Sequence, residues 1–210
     1  MLSTILIEGK EIRAPKDSNL LWAALNNGIS IPNLCSIRGN SKPFASCRLC
    51  FVEIAGLQGP VTACTEKVKD GMKVTVNTPE ATKLRRSSFN LLLSHHRLDC
   101  GRCPKNRNCE LQHIAGLEHF KLNDKRLKKI DMNYEVDSSH PLFAFDKNKC
   151  VLCGRCVWVC QGEGTGVLDF AYRGLSTMVS TFAGIPLEET ECNSCLSCVN
   201  VCPVGALYTK

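Results

Sequence analysis

An α+β fold of three small, metal-stapled modules is predicted by three observations on this 210-residue chain. Between residues 150 and 202 the spacing C-x2-C-x2-C-x3-C occurs twice, first at Cys150, Cys153, Cys156 and Cys160, then at Cys192, Cys195, Cys198 and Cys202. Near the N-terminus a hairpin-and-helix pattern precedes Cys35, Cys47, Cys50 and Cys64, spaced C-x11-C-x2-C-x13-C. Between these regions His96, Cys100, Cys103 and Cys109 read H-x3-C-x2-C-x5-C. The groups take up all 15 cysteines, so no thiol remains for a disulfide or a nucleophile.

The first module is expected over residues 1–78 as a β-grasp domain. Thr4–Ile7 and Glu11–Arg13 alternate around Glu8-Gly9-Lys10 as a hairpin does. Ser18 is positioned to cap a helix over Leu20–Asn27 that Gly28 closes. Phe51–Ile54 and Lys73–Val76 read as later short strands. The cysteines then fall mostly in the loop between the helix and Phe51. Irregular backbone there can aim N–H groups at sulfur. Four thiolates, a pair per iron, suit a [2Fe–2S] cluster, although plant-type ferredoxins space theirs C-x4-C-x2-C with a distant fourth.

The middle module, residues 79–140, is expected to be small and helical. Thr78-Pro79 marks a helix start, and apolar residues through Leu84, Phe89 and Leu91–Leu93 carry the helix toward His96. Three cysteines in a turn with Gly101 and Pro104 lack a fourth ligand for a [4Fe–4S] cluster, and His96 stands nearby. Spacing alone does not separate His96 from His95. His113, His119 and His140 have no such company and read as structural.

The third module, residues 141–210, carries the doubled run, which ends in Cys202-Pro203. In bacterial ferredoxins three close thiolates of such a run grip one [4Fe–4S] cube and the fourth ligates the other. Cys150, Cys153, Cys156 and Cys202 are therefore expected at one cube. Cys192, Cys195, Cys198 and Cys160 are expected at the second. Zinc also takes C-x2-C pairs, but it needs only four ligands and gives no reason for two identical quartets. Disulfide frameworks belong to small secreted domains, and Met1–Gly9 has neither the basic start nor the apolar core of a signal peptide. No apolar run approaches the roughly 20 residues that span a bilayer. A cytoplasmic protein in a reducing cell is expected. Each module has little core of its own, so metal binding should supply much of its folding energy.

The formal net charge of +6 suggests nucleic acid at first sight. Residues 81–145 hold twelve basic and seven acidic side chains, and residues 146–210 hold five and six. Oxidised clusters with their thiolates add about −2 each, or about −1 where histidine replaces a thiolate, which brings the loaded chain to about −1. No aromatic-bearing or recognisable nucleic-acid module accompanies the basic stretch. Lys121–Lys129 remains a solvated face or a docking segment for a larger partner. There is no G-x-G-x-x-G turn and no phosphate loop. Gly162, Gly164 and Gly166 read as a loop.

The order of the three sites resembles the N-terminal accessory region of [FeFe] hydrogenases. It is similar to the start of the large iron–sulfur subunit of respiratory complex I, and to the small diaphorase subunit of NAD-reducing [NiFe] hydrogenases. The likeness runs from Thr4 to Leu207, and every ligand has a counterpart. It implies one [2Fe–2S] and three [4Fe–4S] clusters in a stand-alone electron-transfer subunit that is non-catalytic on its own. The catalytic domain of an [FeFe] hydrogenase is expected to be absent, since the sequence stops at Lys210. The partners implied are a flavin- and NAD(P)-binding subunit and a hydrogenase, NAD-linked or electron-bifurcating, with ferredoxin as a further exchange partner. A formate dehydrogenase complex is the alternative setting, and a free-standing polyferredoxin the alternative class.

Overall fold

The computed structural model describes residues 1–123, 127–163 and 165–210. The chain forms two compact units, Met1–Asn90 and Leu91–Lys210.

In the first unit, strands β1 (Leu2–Ile7) and β2 (Lys10–Pro15) pair antiparallel from Leu2↔Pro15 to Ile7↔Lys10. The turn is tighter than the sequence suggests. Glu8 and Gly9 alone make it, with φ of 51° and 74°, the doubly left-handed geometry that matches strand twist. Helix α1 (Leu20–Asn26) buries Leu20, Leu21, Ala23 and Ala24. Its cap corrects the expectation for Ser18. Asn19 is the N-cap and accepts from the Trp22 N–H at 3.2 Å, whereas the Ser18 hydroxyl donates to the Pro15 carbonyl. Asn19 takes the role because it directly precedes the first helical residue, and its side chain reaches the third N–H. Gly28, at φ 73°, ends the turn as expected.

Strands β3 (Phe51–Ile54), β4 (Val61–Thr62) and β5 (Lys73–Thr75) complete a five-stranded sheet of order β2-β1-β5-β3-β4. β1 and β5 are parallel, and the other neighbours are antiparallel. Ile5, Ile7, Ile12, Val52, Val74 and the buried face of α1 form one core that also contains Cys50 and Cys64. The thiols are thus walled by the apolar packing rather than set on the surface.

Helix α2 (Pro79–His95) contains the boundary between the units. The Thr78 hydroxyl accepts from the Ala81 N–H at 3.1 Å, so the helix starts where Thr78-Pro79 placed it. Its buried row is Ala81, Arg85, Phe89 and Leu93, while Leu84 and Leu91 are exposed. A spacing of four keeps one helical stripe, so of the apolar residues expected to drive this helix, Phe89 and Leu93 face inward.

The second unit continues with a one-turn helix at Cys100–Arg102, then α3 (Glu110–Leu117), β6 (Phe143–Phe145) and a one-turn helix at Lys147–Lys149. After these come α4 (Arg155–Gly162), β7 (Asp169–Ala171), β8 (Met178–Ser180), α5 (Ser197–Val201) and β9 (Leu207–Thr209). β6 pairs with β9 and β7 with β8, both antiparallel. Gly162 is the last residue of α4 rather than part of a loop, and Gly166 lies beyond it at φ 61°. Gly164 and the Asp124–Arg126 stretch of the basic Lys121–Lys129 segment lie outside the described residues. Among those described, no helix is long and apolar enough to cross a membrane.

Candidate metal centres

Cys35, Cys47, Cys50 and Cys64 are all buried to 2% exposure or less. Cys35 and Cys47 share a thiol hydrogen bond, and so do Cys50 and Cys64. In each pair the shared proton splits the two partners. The Cys47 hydrogen bond draws Cys35 below the usual thiol range, and the same contact together with burial pushes Cys47 far up. Cys50 rises and Cys64 falls for the corresponding reason. Cys35 also acts on Cys64 and Cys47 on Cys50 through their charges, so the pairs are near neighbours. Backbone supports the set. Leu34 N–H donates to the Cys47 sulfur at 3.4 Å, and the Asn19 amide holds the Cys64 carbonyl. Ala45 and Arg48, at φ 50° and 53°, give the loop its left-handed bends. The Ser36 hydroxyl is buried beside Cys35 with no partner among the described residues. Buried thiolates need compensating positive charge. Two irons, each held by a pair, would provide it, and inorganic sulfide would offer the Ser36 hydroxyl an acceptor. The residues fit a [2Fe–2S] group.

His96, Cys100, Cys103 and Cys109 line one void with Asp99, Asn106, Gln112 and Gly205. Of the two adjacent histidines only His96 lines this void; both His95 and His96 border a neighbouring cleft with Met132 and Tyr134. Lys149 fixes the His96 ring, its carbonyl oxygen lying 2.9 Å from Nδ1. A carbonyl only accepts, so Nδ1 carries the proton and Nε2 keeps the lone pair a metal needs. Burial lowers the His96 pKa and keeps the ring neutral. Burial also pushes up the Cys109 thiol, at the start of α3. Sequence reasoning missed Gly205. A Cβ there would overlap the Cys103 sulfur, so only glycine leaves room for that ligand. Its one signal was its place two residues after Cys202-Pro203.

The doubled run closes round two further voids. Cys150, Cys153, Cys156 and Cys202 line one with Phe145, Val151, Val179 and Leu207. Cys160, Cys192, Cys195 and Cys198 line the other with Phe143, Leu168, Leu187 and Leu196. The fourth cysteine of each run therefore lines the void of the other run's first three. Leu152 and Gly154, two and four residues after Cys150, have φ of 52° and 77°; Ser194 and Leu196, at the same offsets from Cys192, are both at 60°. Left-handed residues repeated at these positions curl the backbone so that successive N–H groups face an anion, and the Leu152 N–H donates to the Cys150 sulfur at 3.4 Å. Burial among other thiols raises Cys150 and Cys198 to about 12 and Cys156 well above its usual value. The apolar walls thus disfavour free thiolates, and the Arg155 Nε–H is buried beside Cys156 with no partner among the described residues. Both features suit an anionic metal–sulfide cube whose irons neutralise the ligands. Among the described residues no three His, Cys, Asp or Glu side chains converge on a single ion; the thiols surround spaces instead.

His140 is buried and structural. Its Nδ1 accepts from the Leu142 N–H, so Nε2 donates to the Ser194 hydroxyl at 3.1 Å, and its ring packs on Phe143 at 4.2 Å. His113 and His119 are exposed.

Three family models match in the order of these sites. A 2Fe-2S iron-sulfur cluster binding domain matches residues 3–79, an NADH-ubiquinone oxidoreductase-G iron-sulfur binding region matches 85–117, and a 4Fe-4S dicluster domain matches 149–206. The chain carries iron–sulfur domains of the NADH-ubiquinone oxidoreductase G type. It is 36% identical over 99% of its length to the NADPH-Fe(3+) oxidoreductase subunit alpha of Geobacter sulfurreducens, covering 24% of that protein. It is 37% identical over 97% of its length to the NADP-reducing hydrogenase subunit HndD of Solidesulfovibrio fructosivorans, covering 35% of it. The chain thus spans about a quarter to a third of these curated relatives. Among solved structures, a chain of an NAD+-reducing [NiFe]-hydrogenase in the H2-reduced state superposes with a TM-score of 0.89 at 29% identity. That match covers 99% of this chain and 87% of the other.

Proposed function

We propose that this chain is an iron–sulfur relay within an NAD(P)-linked oxidoreductase complex, passing single electrons between a flavin- and NAD(P)-binding subunit and a hydrogenase. The observation that carries the reading is the sorting of 15 cysteines and one histidine into four sets of four. Cys35, Cys47, Cys50 and Cys64 would hold a [2Fe–2S] cluster in a β-grasp module over residues 1–78. His96, Cys100, Cys103 and Cys109 would hold a [4Fe–4S] cluster in a helical module over 79–140. Cys150, Cys153, Cys156 and Cys202 would hold a second, and Cys160, Cys192, Cys195 and Cys198 a third, in a two-cluster ferredoxin-like module over 141–210.

When bound, such clusters supply one-electron redox chemistry and little else. The protein's part is to fix their ligands, exclude water with the apolar walls and tune their potentials through ligand type, hydrogen bonds and burial. His96 in place of a thiolate removes a negative charge, which raises the potential at that site by the logic of the Rieske centres. The Lys149 carbonyl keeps the imidazole turned for that role.

Likeness to a chain of an NAD+-reducing [NiFe]-hydrogenase, nearly end to end, supports the hydrogenase setting over a free-standing polyferredoxin. Metal and sulfide analysis of anaerobically purified protein, with its co-purifying subunits identified, tests both levels. About fourteen irons per chain with flavin and nickel subunits support the reading. Zinc in place of iron overturns it, and iron alongside molybdenum or tungsten moves the chain to a formate dehydrogenase complex.

A further inference from the structure

Lys149 occupies an unusual position between two of the proposed sites. It directly precedes Cys150, and its carbonyl holds the His96 ring. Its side chain is only 6% exposed, with Nζ 3.1 Å from an Asp99 oxygen and 3.5 Å from an Asp146 oxygen. Asp99 directly precedes Cys100. The Cys103 sulfur is close enough for its charge to act on the ammonium. Lysine is almost never fully buried unless paired. Here one ammonium stands against two carboxylates, one of which, Asp99, lines the void shared by His96 and the three cysteines.

Reduction adds one negative charge to a metal site. A fixed cation whose charge reaches a ligand sulfur favours that state, and water-poor surroundings strengthen the effect. The Asp99 and Asp146 carboxylates oppose it, and the Lys149 ammonium, paired with both, offsets their field alongside Lys129, whose charge also acts on His96.

We propose that Lys149 sets the reduction potential of the His96, Cys100, Cys103 and Cys109 site, holding it above the value that Asp99 and Asp146 would otherwise impose. Lys149 is thus a positioning and tuning residue, acting on electron flow through a cluster it does not ligate. The inference rests on the iron–sulfur reading of that site.

The test is an anaerobic redox titration of the full chain, followed by electron paramagnetic resonance, with iron counted in each preparation. Wild type is compared with Lys149→Met, Lys149→Arg and Asp146→Asn, and His96→Cys identifies the relevant signal. Lys149→Met is expected to lower that midpoint by at least a tenfold change in the reduction equilibrium, about 59 mV for one electron. Asp146→Asn keeps an oxygen for the Asn148 N–H, which the aspartate now accepts at 3.1 Å, but drops the charge, and should raise the midpoint. Lys149→Arg should leave it near wild type. Opposite signs in the first two variants support the proposal, because loosened packing would not produce them. Unshifted or same-sign midpoints with full iron content overturn it. If Lys149→Met loses its iron, Asp146→Asn decides alone: a raised midpoint supports the proposal and an unchanged one overturns it. Wild-type protein without iron would instead overturn the underlying iron–sulfur reading.

Discussion

A single methyl group at position 205 would collide with the Cys103 sulfur, although the glycine is far from Cys103 in sequence. Gly205→Ala is therefore expected to cost the His96 site its metal. Iron should fall by about four per chain, with the other signals retained; a full iron count in that variant would show that the sulfur can move aside. At His96 the expected change is electronic. His96→Cys should retain iron and lower one midpoint, because a thiolate returns the negative charge that imidazole lacks, and titration reads this directly. Legibility at this scale followed chemistry. The grouping of the cysteines round shared voids was readable from local spacing, and His96 stood out because a triplet of thiols lacked a fourth partner. Gly205 was not readable, since its need arises from a close approach between distant segments. Asn19 over Ser18 turned on one residue of helix register, finer than composition can specify.

Among the elements, α2 shows how a helix can be started correctly and faced differently from its apolar content. Its buried row includes Arg85, which is 1% exposed and donates to the Phe51 and Val76 carbonyls at 3.0 and 2.7 Å. The guanidinium closes backbone acceptors at the end of β5 and the start of β3. Arg85→Ala should lower stability by roughly 3 kcal/mol, since hydrogen bonds from a charged donor are lost and two carbonyls stay buried; urea unfolding followed by far-UV dichroism measures it. Asn19→Ala should cost about 1 kcal/mol as a lost cap, with added disturbance at Cys64, whose carbonyl its amide holds. The β1–β2 hairpin was legible from alternation. β6, β7, β8 and β9 were not: each has three residues, too few to show a period, and in β6 all three side chains are buried.

The whole molecule has a modest apolar core in its first unit and thiol-lined voids in its second. With the proposed clusters bound, stability in such a design would depend on the metal. Chelation or oxygen damage is expected to unfold the second unit rather than merely bleach the protein. Far-UV dichroism should lose the signal of α3, α4 and α5 together with the visible absorbance, and a near-native spectrum after complete iron removal would contradict this. The sequence order of the three sites was legible end to end because each motif is local. The partition into two compact units was not, because compactness depends on contacts that no motif records.

The exchange of Cys160 and Cys202 between the two voids of the doubled run constrains how the protein can be made. Cys156 and Cys160 lie one turn apart on α4 yet face different sites. The site begun by Cys150 waits for Cys202, and the other draws on a residue synthesised some thirty positions before its companions. On the proposed ligation, neither cube of this pair would gain its full ligand set until Cys198 had emerged, and one would wait for Cys202. On that ligation, an assembly factor would need the chain through Cys202 to have emerged, and would have to fill both places in close succession or leave a half-clasped intermediate exposed to oxygen.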